Sequence, residues 1–305
     1  MSHYVMSEKE KEYLANYDIS AYQRPSLAVD MVVFSILSDG VSDNIRKLPK
    51  KSLKVLLIKR ATYPYKDCWA LPGGFCRPDE DVVETARREL LEETHVSNAY
   101  LQLIGAYGEK DRDPRGWIIS NTFMALVDGE RCSPRGGSDA WEACWFNIEV
   151  TKGEIVKDAK GDEISIKTEY TIHLTHEEDN ISLTAVLIEH KKFRAYHETV
   201  SYEIKKSDDI GFDHAKIILN ALLSLRADVD NDLKLVFDLM PEMFTLTELQ
   251  NAFEIILDTK LLAANFRRKL ANYVVETELI TERAGYRPAK LFKRNMEAFT
   301  QIRVP

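Results

Sequence analysis

Residues 74–96 read Gly74-Phe-Cys-Arg-Pro-Asp-Glu80-Asp-Val-Val-Glu-Thr-Ala-Arg-Arg88-Glu89-Leu90-Leu91-Glu92-Glu93-Thr-His95-Val96, and this stretch decides the fold. A helix is predicted from about Asp81 to Thr94, in which Glu89, Glu92 and Glu93 stand at i, i+3 and i+4 and share one face. Three like charges side by side repel one another, and folding alone gives no reason to gather them. A solvated acidic face would account for the glutamates by themselves but not for their neighbours. Glu80 lies eight residues before Arg88, which suggests an ion pair bracing the helix to the preceding loop. Gly73 and Gly74 let the backbone approach a phosphate or a metal closely. The pattern calls for a hard divalent cation, Mg²⁺ or Mn²⁺, which prefers oxygen ligands.

The spacing of Gly74, Glu80, Arg88-Glu89-Leu90, Glu92-Glu93 and Val96 resembles the Nudix box of pyrophosphohydrolases that cleave nucleoside diphosphates linked to another group. The resemblance implies an α/β/α sandwich in which the box forms a loop–helix–loop. It also implies that Glu89, Glu92 and Glu93 hold the metal and, with Arg88, make up the catalytic set. His95 stands where the family has a glycine. A left-handed helix end at that position costs a non-glycine residue about 1 kcal/mol, so the departure bears on loop geometry; the other reading of His95 is a ligand or base. Divalent ions neutralise a pyrophosphate bridge and turn water into hydroxide near neutral pH, and a carboxylate accepts the proton.

Strands are expected at Ser26–Leu37, Leu53–Lys59, Tyr100–Tyr107, Ile118–Val127 and Trp141–Phe146, which with the box helix make a layered α/β domain. Between two of them lies Asp111-Arg112-Asp113-Pro114-Arg115-Gly116-Trp117. This loop resembles the segment following the box in Nudix proteins that act on, or respond to, ADP-ribose. Arg112 and Arg115, with Gly73 and Gly74, are therefore the candidate substrate-binding residues. Trp117 either stacks on a base or packs in the core, and Trp145-Phe146 reads as core.

The chain has 305 residues, 45% hydrophobic and 30% charged, which excludes extended disorder and a disulfide mini-protein and suggests two domains. We read residues 1–25 as a polar arm and 26–228 as the Nudix domain, with a β-rich extension at about 150–204 in which the sequence identifies no chemistry. Residues 229–305 are read as a second domain, with Asp228–Asp232 as a short linker. Ile210–Arg226 has the period of an amphipathic helix. Beyond the linker, Leu233–Leu239, Thr245–Leu257 and Leu261–Tyr273 read as helices, and Glu276–Ala284 with Ala289–Lys293 as a hairpin. That is the order of a winged helix-turn-helix, and Thr245 with Glu248 is a capping-box signature.

Net charge is −8, which argues against a nucleic-acid coat, yet residues 260–294 carry nine Lys or Arg against three Glu. Asn265, Arg267, Arg268 and Lys269 on the third helix, and Arg287 and Lys290 on the wing, are the candidate DNA contacts; Arg283, Lys293 and Arg294 lie near them. The alternative is a basic module that binds protein or dimerises.

A Nudix domain followed by a winged helix resembles the Nudix-related transcriptional regulators of bacterial NAD or sugar metabolism. Tyr22–Ser26, Arg112–Gly116, Phe212-Asp213-His214-Ala215, Phe266–Leu270 and Arg287-Pro288-Ala289 carry that likeness. It implies ADP-ribose or a related nucleotide as ligand, and a homodimer on palindromic double-stranded DNA. Since all three box glutamates are present, the expectation is a Mg²⁺-dependent pyrophosphohydrolase of ADP-ribose-like substrates with a DNA-binding-like C-terminal domain. The alternative is an ADP-ribose-sensing transcriptional regulator with little or no catalysis. The absence of an apolar span or leader, and of any CxxC pair among the four cysteines, fits a cytoplasmic protein away from membranes.

Overall fold

The computed structural model describes residues 4–39, 50–97, 99–132, 140–281 and 288–300. Helix α1 (Glu8–Ala15) starts at a Ser7–Glu10 capping box and buries no residue, so this part of the N-terminal arm is a solvated helix. The first strands are β1 (Ser26–Ser38), β2 (Lys51–Arg60), β3 (Trp69–Ala70) and β4 (Gly73–Phe75). The box helix α2 (Val82–Thr94) follows, and then β5 (Tyr100–Tyr107) and β6 (Ile118–Leu126). A long β7 (Ala140–Lys160) leads into β8 (Glu163–His176), β9 (Ile181–Arg194) and β10 (His197–Ser207). Helix α3 (His214–Asn231) joins this part to the C-terminal module.

Strands β1 to β10 form one mixed sheet, in the order β10-β9-β8-β7-β2-β1-β6-β5 with β3 on β2 and β4 on β1. β1 runs parallel to β6 and antiparallel to β2 and β4. The near-continuous apolar run of β1 arises because both its faces are covered. Val29, Met31 and Val33 pack with Ala86 and Leu90 of α2, whereas Val32, Phe34 and Ile36 join the cluster that includes Ile218, Leu222 and Leu225 of α3. A sheet between two helices is the expected α/β/α sandwich. The β-rich extension is continuous with it: β7 pairs β2 from Ala140 to Asn147 and then β8 from Asn147 to Lys160.

The C-terminal module contains a 3-10 helix at Leu233–Leu239, α4 (Leu246–Leu257), α5 (Ala263–Leu270), the wing strands β11 (Val274–Ile280) and β12 (Lys290–Arg294), and α6 (Met296–Thr300). Thr245 accepts from the Glu248 N–H, and the Glu248 carboxylate accepts in return, so the capping box starts α4. Asp228–Asp232 is not a linker. Its first four residues are the last turn of α3, and Val229 there is fully buried. Phe237, Phe244, Phe253 and Phe266 of the module belong to the same apolar cluster as α3, so the two parts share one core. Among the described residues no helix is long and apolar enough to cross a membrane.

Candidate nucleotide and metal site

The box helix is fixed at both ends by local chemistry. Asp81 accepts from the Val83 and Glu84 N–H groups, while Glu84 accepts from the Asp81 N–H. At the other end His95 adopts φ 61°, and its N–H donates 2.9 Å to Leu91 O. The left-handed stop thus survives the exchange of glycine for histidine, and the His95 backbone closes the helix.

Within this frame Arg88 organises the charges. Its Nε donates to both Glu80 oxygens at 2.8 and 3.1 Å, and its Nη1 donates to Glu89 at 2.6 Å. The Arg88 hydrogen bonds hold the Glu80 carboxyl below the usual range. Burial pushes the Glu89 carboxyl up against the pull of Arg88, since Glu89 is only 6% exposed. Glu93 is equally buried, whereas the Glu92 side chain is 49% exposed, within 3.7 Å of Arg77.

Glu89, Glu92 and Glu93 all line one cavity of about 260 Å³, together with Gly73, Gly74 and Arg88. Both glycines are dictated by contact. A Cβ on Gly73 would lie 2.1 Å from Val29 O, and one on Gly74 would lie 2.2 Å from Glu89 Oε1. The all-oxygen donor set and the Gly74 cradle against Glu89 suit Mg²⁺ or Mn²⁺.

The opposite wall comes from far along the chain. The Arg112 side chain is 5% exposed and donates to Asp213 at 2.7 and 3.2 Å and to Asp30 at 3.4 Å. Its guanidinium is therefore held by two carboxylates of β1 and the start of α3. Burial alone would raise the Asp213 carboxyl, but Arg112, His214 and Lys216 outweigh it and hold it below the usual range. His214 is 4% exposed, and this burial pushes its pKa down. Its Nδ1 accepts from the Leu71 N–H at 2.9 Å, leaving Nε2 facing Asp30 at 3.7 Å. Arg115 is held bidentately by Asp113 at 2.7 and 3.0 Å, and its guanidinium lies over Phe75 at 5.1 Å and Phe212 at 5.7 Å. Trp117 is outside the cavity lining and 55% exposed, so it neither packs in the core nor faces this site.

In the C-terminal module α5 buries Phe266 and Leu270 and turns Asn265, Arg267, Arg268 and Lys269 to solvent. Among the described residues no carboxylate pairs with Arg267, Arg268 or Lys269; Arg268 donates to Asn265 at 3.3 Å. Lys290 is exposed on β12 but pairs with Glu276 across the wing. Arg294 is on the wing, as expected, at the end of β12, where its side chain donates to Asp238 at 2.9 Å and to the Phe237 carbonyl and ties the wing to the core. Arg283 and Arg287 lie outside the described residues.

Residues 46–166 match the NUDIX domain model, and residues 236–293 match the model of the NrtR DNA-binding winged helix domain. The chain is 30% identical over 296 residues to the ADPR responsive transcriptional repressor NtrR of Acinetobacter baylyi, covering 96% of this chain and 91% of that one. The chain belongs to the NrtR family of Nudix-related transcriptional regulators.

Over 141 residues, 45% of this NrtR-family chain, it is also 36% identical to an ADP-ribose pyrophosphatase of Methanocaldococcus jannaschii, covering 73% of that protein. Two solved structures share the fold at 24% identity. One is a MutT/nudix family protein from Enterococcus faecalis, with a TM-score of 0.60 over 96% of this chain and 100% of the other. The second is Shewanella oneidensis NrtR complexed with a 27mer DNA, with a TM-score of 0.54 over 88% and 93%.

For this NrtR-family chain, sequence reasoning missed part of the cavity wall. Asp30, Arg60, Phe75, Phe212 and His214 line it, and the Arg60 and Arg115 guanidiniums both lie against the Phe212 ring, at 5.1 and 5.7 Å. Of these, Phe212 and His214 stand out in the sequence only through the family likeness of Phe212–Ala215. Asp30 carries a detectable signal, a carboxylate within the otherwise apolar run Leu27–Phe34.

Proposed function

We propose that this chain is a DNA-binding regulator whose Nudix cavity takes ADP-ribose or a related nucleoside diphosphate derivative together with Mg²⁺ or Mn²⁺. One observation carries the reading: the three box glutamates and Arg115 line a single cavity, on the same chain as a helix presenting a cationic face to solvent. The response of the A. baylyi relative to ADPR, stated in its name, supports this ligand class.

The diphosphate lies between Arg115 and the acidic helix face, and Phe75 and Phe212 offer flat apolar surface to a base or sugar. Glu89, Glu92 and Glu93 would hold the ion, and Gly74, lacking a Cβ, leaves the Glu89 carboxylate its place in the cavity wall. A bound Mg²⁺ or Mn²⁺ supplies neutralisation of the phosphate charge and a lowered pKa for water. Arg112 acts through Asp213, positioning the first turn of α3. Since α3 begins at the cavity and ends in the core of the winged module, ligand-induced movement at His214 reaches α5 through packed side chains. Asn265, Arg267, Arg268 and Lys269 enter the DNA groove, with Lys290 on the wing. A cytoplasmic homodimer on a palindromic operator belongs to the same reading.

Hydrolysis is the second reading, favoured by the complete set of box carboxylates and by the M. jannaschii relative. Incubation with ADP-ribose and Mg²⁺ then yields AMP and a sugar phosphate, and Glu92→Gln or Glu93→Gln removes nearly all the rate. A mobility-shift assay on the upstream DNA, with and without ADP-ribose, tests the regulator. Absence of binding at low salt in both arms overturns it.

A further inference from the structure

Outside the Nudix cavity, three donors of different chemistry converge where the β-rich extension meets the main sheet. Cys144 lies on β7, His176 ends β8, and Asp179 sits in the turn before β9. One sulfur, one ring nitrogen and one carboxylate oxygen from these residues all lie within 4.8 Å of one another. None of the three lines the Nudix cavity.

The histidine is oriented as a ligand. Its Nδ1 is 3.1 Å from the Trp145 carbonyl oxygen, and a carbonyl only accepts, so Nδ1 carries the proton. Nε2 is then left with its lone pair 3.1 Å from Asp179 Oδ2. A lone pair facing a carboxylate at that distance requires a cation, either a second proton or a metal ion. Donation of the far ring N–H to a backbone carbonyl is the usual support for a metal-bound imidazole. The ring also packs on Phe146 at 5.6 Å, and Phe146 packs on Trp69 at 4.7 Å, so its position is set before any ion arrives. Beside it the Cys144 thiol donates 3.4 Å to Glu142 Oε1, a carboxylate placed to take the proton that the thiol loses to a metal.

We propose that Cys144, His176 and Asp179 form a second divalent-cation site, suited to a borderline-soft ion such as Zn²⁺, which clamps the β8–β9 turn onto β7. The sulfur and imidazole donors distinguish it from the all-oxygen box site, which takes hard ions. Binding replaces the thiol proton by the metal, and that proton leaves to solvent by way of the Glu142 carboxylate.

The test uses the purified full chain, stripped by chelator and titrated with Co²⁺ in excess Mg²⁺, which keeps the carboxylate site filled. Expected is one equivalent of Co²⁺ giving a sulfur-to-cobalt charge-transfer band in the near ultraviolet, displaced by Zn²⁺. Cys144→Ser removes the band. Asp179→Asn, on an exposed turn, leaves the fold intact and weakens Co²⁺ binding by roughly tenfold or more. Absence of a sulfur band in the wild-type chain, or a band that survives Cys144→Ser, overturns the proposal and leaves an imidazolium–carboxylate pair at His176 and Asp179.

Discussion

Arg112 and Asp213 hold each other through hydrogen bonds of 2.7 and 3.2 Å, joining the loop after β5 to the start of α3 across 101 residues of chain. Both side chains are nearly inaccessible, so removal of Arg112 strips Asp213 and Asp30 of their shared guanidinium and leaves Asp213 the weaker contact with Lys216 at 3.4 Å. Arg112→Ala is expected to lower unfolding stability by about 3–5 kcal/mol, read from denaturant midpoints. An equally stable variant would show that the pair contributes nothing to the fold.

His214 gives the stability a pH dependence of definite sign. Its folded pKa is depressed by burial, so between the unfolded value and the folded one the unfolded chain binds the extra proton. The contribution is complete above about pH 6.5 and is lost as pH falls below it. Asp213, also depressed, adds a loss of the same sign below about pH 3.9. His214→Gln should flatten the melting-temperature profile between about pH 6.5 and 5, and a slope identical to wild type counts against this assignment.

Gly74→Ala separates metal binding from folding. The added Cβ would lie 2.2 Å from the Glu89 Oε1 that Arg88 holds, and the carboxylate has to move. Stability should change by less than about 1 kcal/mol, whereas Mn²⁺ affinity measured by EPR titration of the free ion should drop roughly tenfold. Unchanged Mn²⁺ affinity would exclude Glu89 from the ion's ligands.

His95→Gly addresses the helix end. At φ 61° glycine escapes the steric cost that histidine bears, and the variant should be more stable by about 1 kcal/mol. The same change should leave Mn²⁺ affinity untouched, since His95 does not line the cavity. A large loss of affinity would instead make His95 a ligand.

Arg267→Ala and Arg268→Ala should weaken DNA binding and make the slope of log affinity against log salt shallower, by about 0.9 for each phosphate that is no longer neutralised. Parallel salt plots for variant and wild type would place the DNA on another face. Lys290→Ala should have a smaller effect, because Glu276 already offsets its charge.

Sequence periodicity alone determined the parts of this protein whose geometry is local. A helical repeat of 3.6 residues puts Glu89, Glu92 and Glu93 on one face, and the reach of one glutamate closes the cap at Thr245–Glu248. The Arg88–Glu80 pair was legible for the same reason, since a helix and its leading loop leave little freedom over eight residues. Only the tertiary structure decided which carboxylates Arg112 meets, because Asp30 and Asp213 reach it from β1 and α3 through sheet pairing and core packing. It likewise decided that the supposed linker is helix, because Val229 finds its apolar partners in the core shared with the winged module. Cys144, His176 and Asp179 came together by strand register, which no spacing along one strand encodes.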